Sequence, residues 1–544
     1  MSDLADATPP DTKRTPRPWA KKAPHDGPWD EIVIGSGIGG MTTAATLARL
    51  GHKVLVLEQH YVPGGYTHTF RRKGYHWDVG VHLVGGTTRK TFTGRILHDL
   101  TDGQLTWEEL GSPYDTFYFP GMTIGFPDRP EAFREALVEQ FPDQVQSIDR
   151  YLQEVRGAAK ALQGYYVRRA LPPGVGAMLG GFVSREAERV LSVTAEAVLE
   201  DMVPDPKLRA VLLAQWGYHG SPPNRVAWGL HALVVQHFMY GATYPVGSAS
   251  EIAKHMLQTV ADAGGWTRIC ADVAEIVVED GRAVGVRLTD GEEIRGTRIV
   301  SAAGAHTTVA KLLPPEVRDD DWVRRVRSHE PGPAHVCLYL GFRGDIEAAG
   351  ASRASQWYYQ TWSHDAALWQ VHPDREVDRP PILFTSFPSL KDPAHDPGPE
   401  QRHTGEIVTF VPWESFSRWE GTGWRKRGED YEDFKARMSD RMLEVLFEHN
   451  PGLSPLLDHH ELATPLSTDL FARPFKGSIY GLAHTPERFA DPWLACRSPV
   501  PGLYLSGSDV SSCGVMGAMM GGLLTAIAIE PLRGMRWAMG LPRP

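Results

Sequence analysis

The sequence predicts an α/β fold, a discontinuous Rossmann-type nucleotide-binding domain of the glutathione reductase-like kind with an inserted mixed α+β substrate-binding domain. Three observations predict it. A β-branched strand, Glu31-Ile-Val-Ile34, runs into the glycine turn Gly35-Ser36-Gly37-Ile38-Gly39-Gly40 and a helix-compatible stretch over 41–50. A second apolar run, Val54-Leu-Val-Leu57, ends on the acid Glu58. A glycine-rich, uncharged helical segment returns near residues 514–529. With 544 residues and 42% apolar content, the chain is long enough to bury three or four domain-sized cores of about 150 residues each.

Each part of the first unit has a physical reason. Gly35 permits the tight turn, Gly37 lets the backbone approach a pyrophosphate with no Cβ in the way, and Gly40 lets the helix pack closely on the strand. The helix N-terminus then faces the phosphates. Glu58 lies roughly 20 residues beyond the glycines, where a carboxylate accepts from both ribose hydroxyls and repels a 2′-phosphate. Gly64-Gly65 follow. This unit serves NAD and FAD alike, so the rest of the chain must decide between them.

Further along, Tyr244-Pro-Val-Gly247-Ser-Ala-Ser-Glu251 precedes Ile252, Met256 and Val260 at helical spacing, and Ser248 with Glu251 reads as a capping box. Two β-branched runs flank Asp280-Gly281, and a turn at Asp290-Gly291 leads to Ile299-Val-Ser-Ala-Ala-Gly304, a pattern of hairpins.

Over most of residues 29–530 the chain resembles the phytoene desaturase superfamily of flavoproteins, in the branch of retinol saturase and carotenoid isomerase. The resemblance is carried by Glu58-Gln-His-Tyr-Val-Pro-Gly64-Gly65-Tyr-Thr-His68-Thr-Phe70, by Trp77-Asp78-Val-Gly80-Val-His82, and by Gly502-Leu-Tyr-Leu-Ser-Gly507-Ser-Asp509 with Gly514-Val-Met-Gly517-Ala518-Met-Met-Gly-Gly522. It implies FAD. By the resemblance Val273 touches the adenine through its backbone. Asp509 can accept from the ribityl hydroxyls, and amides near Gly517 can stabilise negative charge on the reduced ring. The expected cofactor contacts are Gly35, Ser36, Gly37, Ile38, Gly39, Gly40, Glu58, Gln59, Gly64, Gly65, Thr67, His68, Val273, Ala303, Gly304, Gly507, Asp509, Gly517 and Ala518. The chain departs from its relatives at Val246-Gly247-Ser248, where they usually carry Arg-Gly-Gly, and at Tyr66-Thr67, where a cysteine pair is often found.

The flavin domain is therefore expected in three pieces, 28–100, 242–332 and 470–535, with the substrate domain in 101–241 and 333–469, a flexible tail over 1–27 and a C-terminal tail over 536–544. The intervening stretches hold aromatic clusters, Gln215-Trp-Gly-Tyr-His219, Gln236-His-Phe-Met-Tyr240 and Trp357-Tyr-Tyr-Gln-Thr-Trp362, suited to a tunnel for a long lipid. Residues 165–182 join two arginines to an apolar stretch and are expected to face a membrane surface.

The expected reaction adds or removes hydrogen across a carbon–carbon bond of a retinoid, carotenoid or unsaturated acyl chain, with hydride transfer at flavin N5. His68, His82 and Tyr244 are the candidate proton carriers. Other readings are an acyl-lipid desaturase, a carotenoid cis–trans isomerase using reduced FAD without net redox change, a flavin amine oxidase, and a lipid-binding escort. The amine oxidase would need an active-site lysine that the sequence does not place. The electron partner, a quinone, oxygen or NAD(P)H, has no second glycine-turn domain to bind it and must visit the flavin or act through a small carrier.

Composition excludes several classes. The 56 Lys+Arg against 66 Asp+Glu leave a net charge of −10, which argues against a nucleic-acid partner. Four cysteines, Cys270, Cys337, Cys496 and Cys513, form no pair, so neither a disulfide framework nor a metal site is expected. HExxH, GxSxG and P-loop motifs are absent. The mean hydropathy of −0.29 and the polar N-terminal sequence fit a cytoplasmic location, or a peripheral one on the inner face of a membrane.

Overall fold

A computed structural model of the chain describes residues 17–170, 183–318 and 320–541. The β-branched run of the glycine-turn unit becomes the strand Trp29–Ile34, flanked in parallel by Val54–Leu57 on one side and Glu293–Ser301 on the other. The sheet continues outward through Trp266–Arg268 and Trp19–Ala20, and inward chain order is broken again where Leu503–Leu505 pairs with Ile299–Ser301. The expected hairpin strands Val273–Glu279 and Arg282–Leu288 pair antiparallel with each other, and Arg282–Leu288 pairs antiparallel in turn with the first residues of Glu293–Ser301. One strand thus serves two partners on one edge, the hairpin at its start and the C-terminal strand at its end.

Trp19–Ala20 corrects the expected tail boundary. Trp19 lies opposite Thr267 in parallel register, and Trp266 Nε1 donates to the Lys22 carbonyl at 3.1 Å. The reason is apolar area: half-buried Trp19 packs against the main core, whereas a solvated tail would leave it in water. At the other end the helix Pro531–Ala538 runs past the expected boundary at 535.

The helix Ile38–Arg49 begins at Gly37 and packs on the helix Gly514–Ile529 through glycine-to-glycine contact. A Cβ at Gly39 would lie 2.3 Å from Gly507 Cα, one at Gly521 2.1 Å from Gly507 O, and one at Gly522 2.4 Å from Gly39 O. The uncharged segment 514–529 is therefore a buried helix, and no helix among the described residues is long and apolar enough to cross a membrane.

A second, seven-stranded sheet runs in the order Leu457–Ala463, Ala334–Arg343, Arg402–Val411, Ile382–Ser386, Ser355–Tyr359, Asp115–Phe119 and Met122–Phe126. Alternation sorts its side chains. Leu338, Leu340, Leu383 and Ile407 face the helix Glu429–His449, which buries Tyr431, Phe434, Met438, Met442 and Leu446 against them. The other face belongs to the main core and carries Phe117, Trp357, Phe384, Val408 and Phe410. The helices Val145–Ala170 and Trp228–Phe238 pack against each other beside it. Of the stretch expected to face a membrane, Tyr165 and Tyr166 are buried in the first of these helices, and 171–182 lie outside the described residues.

The helix expected after Tyr244 is present as Ser250–Asp262, but the capping box is not. Ser248 adopts a positive φ of 86°, its hydroxyl lies against that of Ser250, and Glu251 turns to Lys254 and His255. The amide of Ala249 donates instead to the buried carboxyl of Asp78 at 3.0 Å.

Candidate functional site

One cavity of about 530 Å³ joins the two sheets. Its nucleotide end is walled by Gly35, Gly37, Ile38, Gly39, Glu58, Gln59, Gly65, Thr67, His68, Val273, Ala303, Gly304, Gly507, Asp509 and Ala518, most of the contacts expected from the sequence. A Cβ built on Gly37 would meet nothing within 4 Å, so the space beside that backbone is open. Gly40 is the opposite case. A Cβ there would lie 2.1 Å from Gly35 O, which makes it a packing glycine behind the wall.

Ser36 and Gly64 also stand behind the wall. Glu58 Oε2 accepts from Ser36 N at 3.0 Å and from Ser36 Oγ at 2.5 Å, Oε1 accepts from His60 N at 2.8 Å, and Gly64 N donates to Ser36 Oγ at 2.9 Å. The carboxylate is thereby oriented with lone pairs to spare on the cavity side. Asp509 is held in the same manner, by Ala305 N at 2.7 Å and Leu482 N at 3.0 Å. Gly517 does not reach the cavity: a Cβ there would lie 2.5 Å from Ser512 O, so this glycine lets the turn at Ser512 close against the helix. Gly514, Val515 and Ala518 line the cavity in its place.

The far end is apolar and aromatic, with Tyr218, Trp357, Ile382, Phe384, Val408 and Phe410 on the wall. Sheet register explains the arrangement. Val408 lies opposite Phe384, Phe384 opposite Trp357, and Trp357 opposite Phe117, forming one apolar row across four strands. Two residues along each strand the row turns polar: Glu406 opposite Ser386, and Ser355 opposite Asp115, with Gln356 opposite Thr385 fixing the strands between. Lys391 closes this row. Its ammonium donates to Ser386 Oγ and Ser355 Oγ, each at 2.9 Å, and to the His82 carbonyl at 3.0 Å.

The titration of these groups follows their burial. Burial, reinforced by Glu406, raises the Asp78 carboxyl to about 7. Burial pushes Glu406 well above the usual carboxylate range, raises Asp115, and lowers Lys391. His82 is pulled down to about 3 by burial and then by the Lys391 cation, and His68 to about 4 by burial, so both rings are neutral at pH 7.

The three proton-carrier candidates part here. His68 lines the cavity with Nδ1 2.5 Å from the Gly65 carbonyl, and His82 lines it with its ring 4.9 Å from that of Phe384. Tyr244 is not on the wall: it is buried, and its hydroxyl donates to Asp78. Cys513 stands at the start of the flavin-side helix with its thiol pushed by burial to about 12, an inert filler. Sequence reasoning missed Glu406, Lys391 and Asp115. A signal existed for Glu406, a lone acid at the alternate position of Ile407-Val-Thr-Phe-Val411; Lys391 and Asp115 had none.

Comparison with known proteins agrees with this geometry. The family model for flavin containing amine oxidoreductases matches residues 38–529. The chain is 32% identical over 520 residues to all-trans-retinol 13,14-reductase of Homo sapiens, covering 92% of this chain and 85% of that protein. It is 27% identical over 467 residues to chloroplastic prolycopene isomerase of Arabidopsis thaliana, covering 83% and 74%. Among solved structures, cyclohexylamine oxidase from Brevibacterium oxydans IH-35A superposes with a TM-score of 0.57 at 16% identity, covering 95% of this chain and 100% of that one, a likeness of fold.

Proposed function

The chain belongs to the flavin-containing amine oxidoreductase family, in its phytoene desaturase-like branch of retinol saturases and carotenoid isomerases, and from that premise we propose that it saturates a carbon–carbon double bond of a retinoid-like polyene. The observation that carries the reading is one continuous cavity with a nucleotide end and an aromatic end. FAD fits the first. In this reading Glu58 takes the ribose hydroxyls, the open backbone at Gly37 and the start of the helix Ile38–Arg49 take the pyrophosphate, and Val273 takes the adenine. Asp509 meets the ribityl chain, and the backbone near Gly514 and Val515 meets the ring edge. Bound FAD supplies hydride transfer at its ring N5.

The chain's own residues do the rest. The apolar row of Val408, Phe384 and Trp357 seats a flat polyene and excludes water, and a proton must reach the carbon beside the one that takes hydride. The saturating direction is favoured because the retinol reductase match spans nearly the whole chain. Among the described residues one glycine-turn unit is present, and in this reading the electrons are brought by a diffusible carrier such as NAD(P)H or a quinol. An amine oxidase reading gains nothing from Lys391, which lies outside the cavity wall and is held by three oxygens.

The test is anaerobic incubation of the chemically reduced, FAD-loaded protein with separate all-trans-retinol, carotenoid and unsaturated acyl-lipid samples. Retinol product heavier by two hydrogens supports the reading. Unchanged mass with altered double-bond geometry would replace it with an isomerase, and a product lighter by two hydrogens, formed only by oxidised flavin, with a desaturase.

A further inference from the structure

The buried polar row leaves one contact unexplained. His82 Nδ1 lies 2.8 Å from Glu406 Oε2, off the line of an ideal hydrogen bond, and among the described residues neither His82 Nδ1 nor a Glu406 oxygen meets another partner in good hydrogen-bond geometry, although the Asp78 backbone is drawn to the carboxyl. Glu406 is fully buried, while the His82 side chain keeps 15% of its surface, on the cavity wall. Orphaned buried acceptors cost about 1–3 kcal/mol each, so their retention beside a cavity calls for a function.

We propose that His82 is the proton donor to the substrate carbon, with Glu406 as the proton reservoir behind it and Lys391 as the positioning cation that balances the charge Glu406 is left with; the inference rests on the saturase reading above. Tautomer chemistry selects His82 over His68. A neutral His68 that donates from Nδ1 to the Gly65 carbonyl presents only a lone pair at Nε2 and cannot protonate carbon. At His82 the partner of Nδ1, 2.8 Å away, is a carboxyl that burial pushes toward its protonated form against the Lys391 cation and the Asp78 backbone, and a protonated Glu406 leaves Nδ1 to accept and Nε2 to carry the hydrogen.

The step balances. Bound, reduced FAD would supply the hydride for one C–H bond, leaving the π electron pair on the neighbouring carbon. That pair takes the proton from His82 Nε2 as its N–H bond breaks. The Glu406 O–H proton moves to His82 Nδ1, so the ring ends neutral in its other tautomer and Glu406 ends as a carboxylate. Lys391 is tied through Ser386, the register partner of Glu406, and through Ser355, the register partner of Asp115. Its charge is thus anchored to the same row. Proton transfer along this contact requires the ring to turn toward a linear geometry once substrate is bound, as catalytic hydrogen bonds commonly tighten in the loaded site. Tyr218 also lines the cavity, but its hydroxyl donates to both Asp115 oxygens, at 2.7 and 2.9 Å, and is directed away from a substrate.

Two measurements test this on the FAD-loaded protein. In the first, the reduced holoprotein is mixed anaerobically with all-trans-retinol in a single turnover, in H2O and in D2O. His82→Asn is expected to slow product formation by about 10²–10⁴-fold with FAD content and retinol binding retained. Glu406→Gln, which keeps shape but carries no acidic proton, is expected to lose at least about tenfold in rate while retinol affinity holds, with partial recovery in Glu406→Asp. The second is independent of substrate: the ¹⁵N-histidine NMR spectrum, with His82 assigned by its loss in His82→Asn, should show a neutral Nε2–H ring that does not titrate down to pH 5. Full rate in His82→Asn overturns the proposal, as does an Nδ1–H tautomer. If wild type leaves retinol unreduced while the NMR result stands, the retinoid reading fails and the His82–Glu406 pair survives.

Discussion

The nucleotide end and the sheet floor of the same cavity are built in opposite ways. At the nucleotide end the contacts come from short stretches of chain, and backbone does much of the work: Gly37 leaves open space, Gly65 approaches Gly37 to within 2.9 Å of a built Cβ, and Glu58 is oriented by Ser36 and His60 next to it in the fold. At the floor the strand partners are distant in sequence, and only the Lys391 contact to Ser386 is local. Asp115, Ser355, Ser386 and Glu406 meet only because four strands share a register. A cofactor common to many enzymes is thus held by a local motif, and the part that sets the chemistry of one substrate is held by long-range pairing.

Breaking the floor should cost the most. Lys391→Met strips three buried or part-buried oxygens, those of Ser386, Ser355 and the His82 carbonyl, of their donor, and chemical denaturation should show a loss of about 3–5 kcal/mol, with FAD content of the folded fraction unchanged. A loss under about 1 kcal/mol would mean that other donors replace the ammonium there. Next comes a packing glycine at the other end. Gly40→Ala places a methyl against Gly35 O and should cost about 1–3 kcal/mol together with flavin retention.

The floor also has a pH signature. The Asp78 carboxyl is raised to about 7, among Glu406, Tyr244, His82 and Lys391, so between about pH 4 and 7 the folded chain holds a proton that the unfolded chain has released. Its contribution to stability is full below the unfolded value and fades as pH rises through 7. The stability difference between wild type and Asp78→Asn should therefore fall with rising pH in that window, by up to about 1.4 kcal/mol per unit, and a flat difference would place the proton elsewhere. The smallest effect on stability belongs to Gly37→Ala. Its Cβ meets nothing, so denaturation should shift by less than about 0.5 kcal/mol, while flavin occupancy drops because the methyl enters the space the pyrophosphate needs. Together Gly40 and Gly37 separate packing from binding within one turn.

The contrast also accounts for what could be read in advance. The strand–turn–helix unit, the acid at Glu58, both hairpins and the buried helix Gly514–Ile529 were legible, because each is a pattern within a few dozen residues. Ser248 misled because a capping box is defined by residue types, whereas here the local amide at Ala249 is taken by Asp78 from another strand. Gly517 misled by one turn of helix, since a glycine that packs and a glycine that opens space look alike in sequence. Tyr244 was singled out for its place in the chain, and its hydroxyl was already committed to Asp78. Glu406 and Lys391 could not be joined from sequence at all, because their association depends on which strand lies beside which.

The most direct test of the account is an anaerobic titration of the two-electron-reduced, FAD-loaded protein with all-trans-retinol, reading the visible flavin spectrum and the product mass together. The account predicts that one equivalent of retinol restores the oxidised flavin spectrum and yields one equivalent of product heavier by two hydrogens. Flavin that stays reduced, with retinol recovered at its original mass, would contradict it.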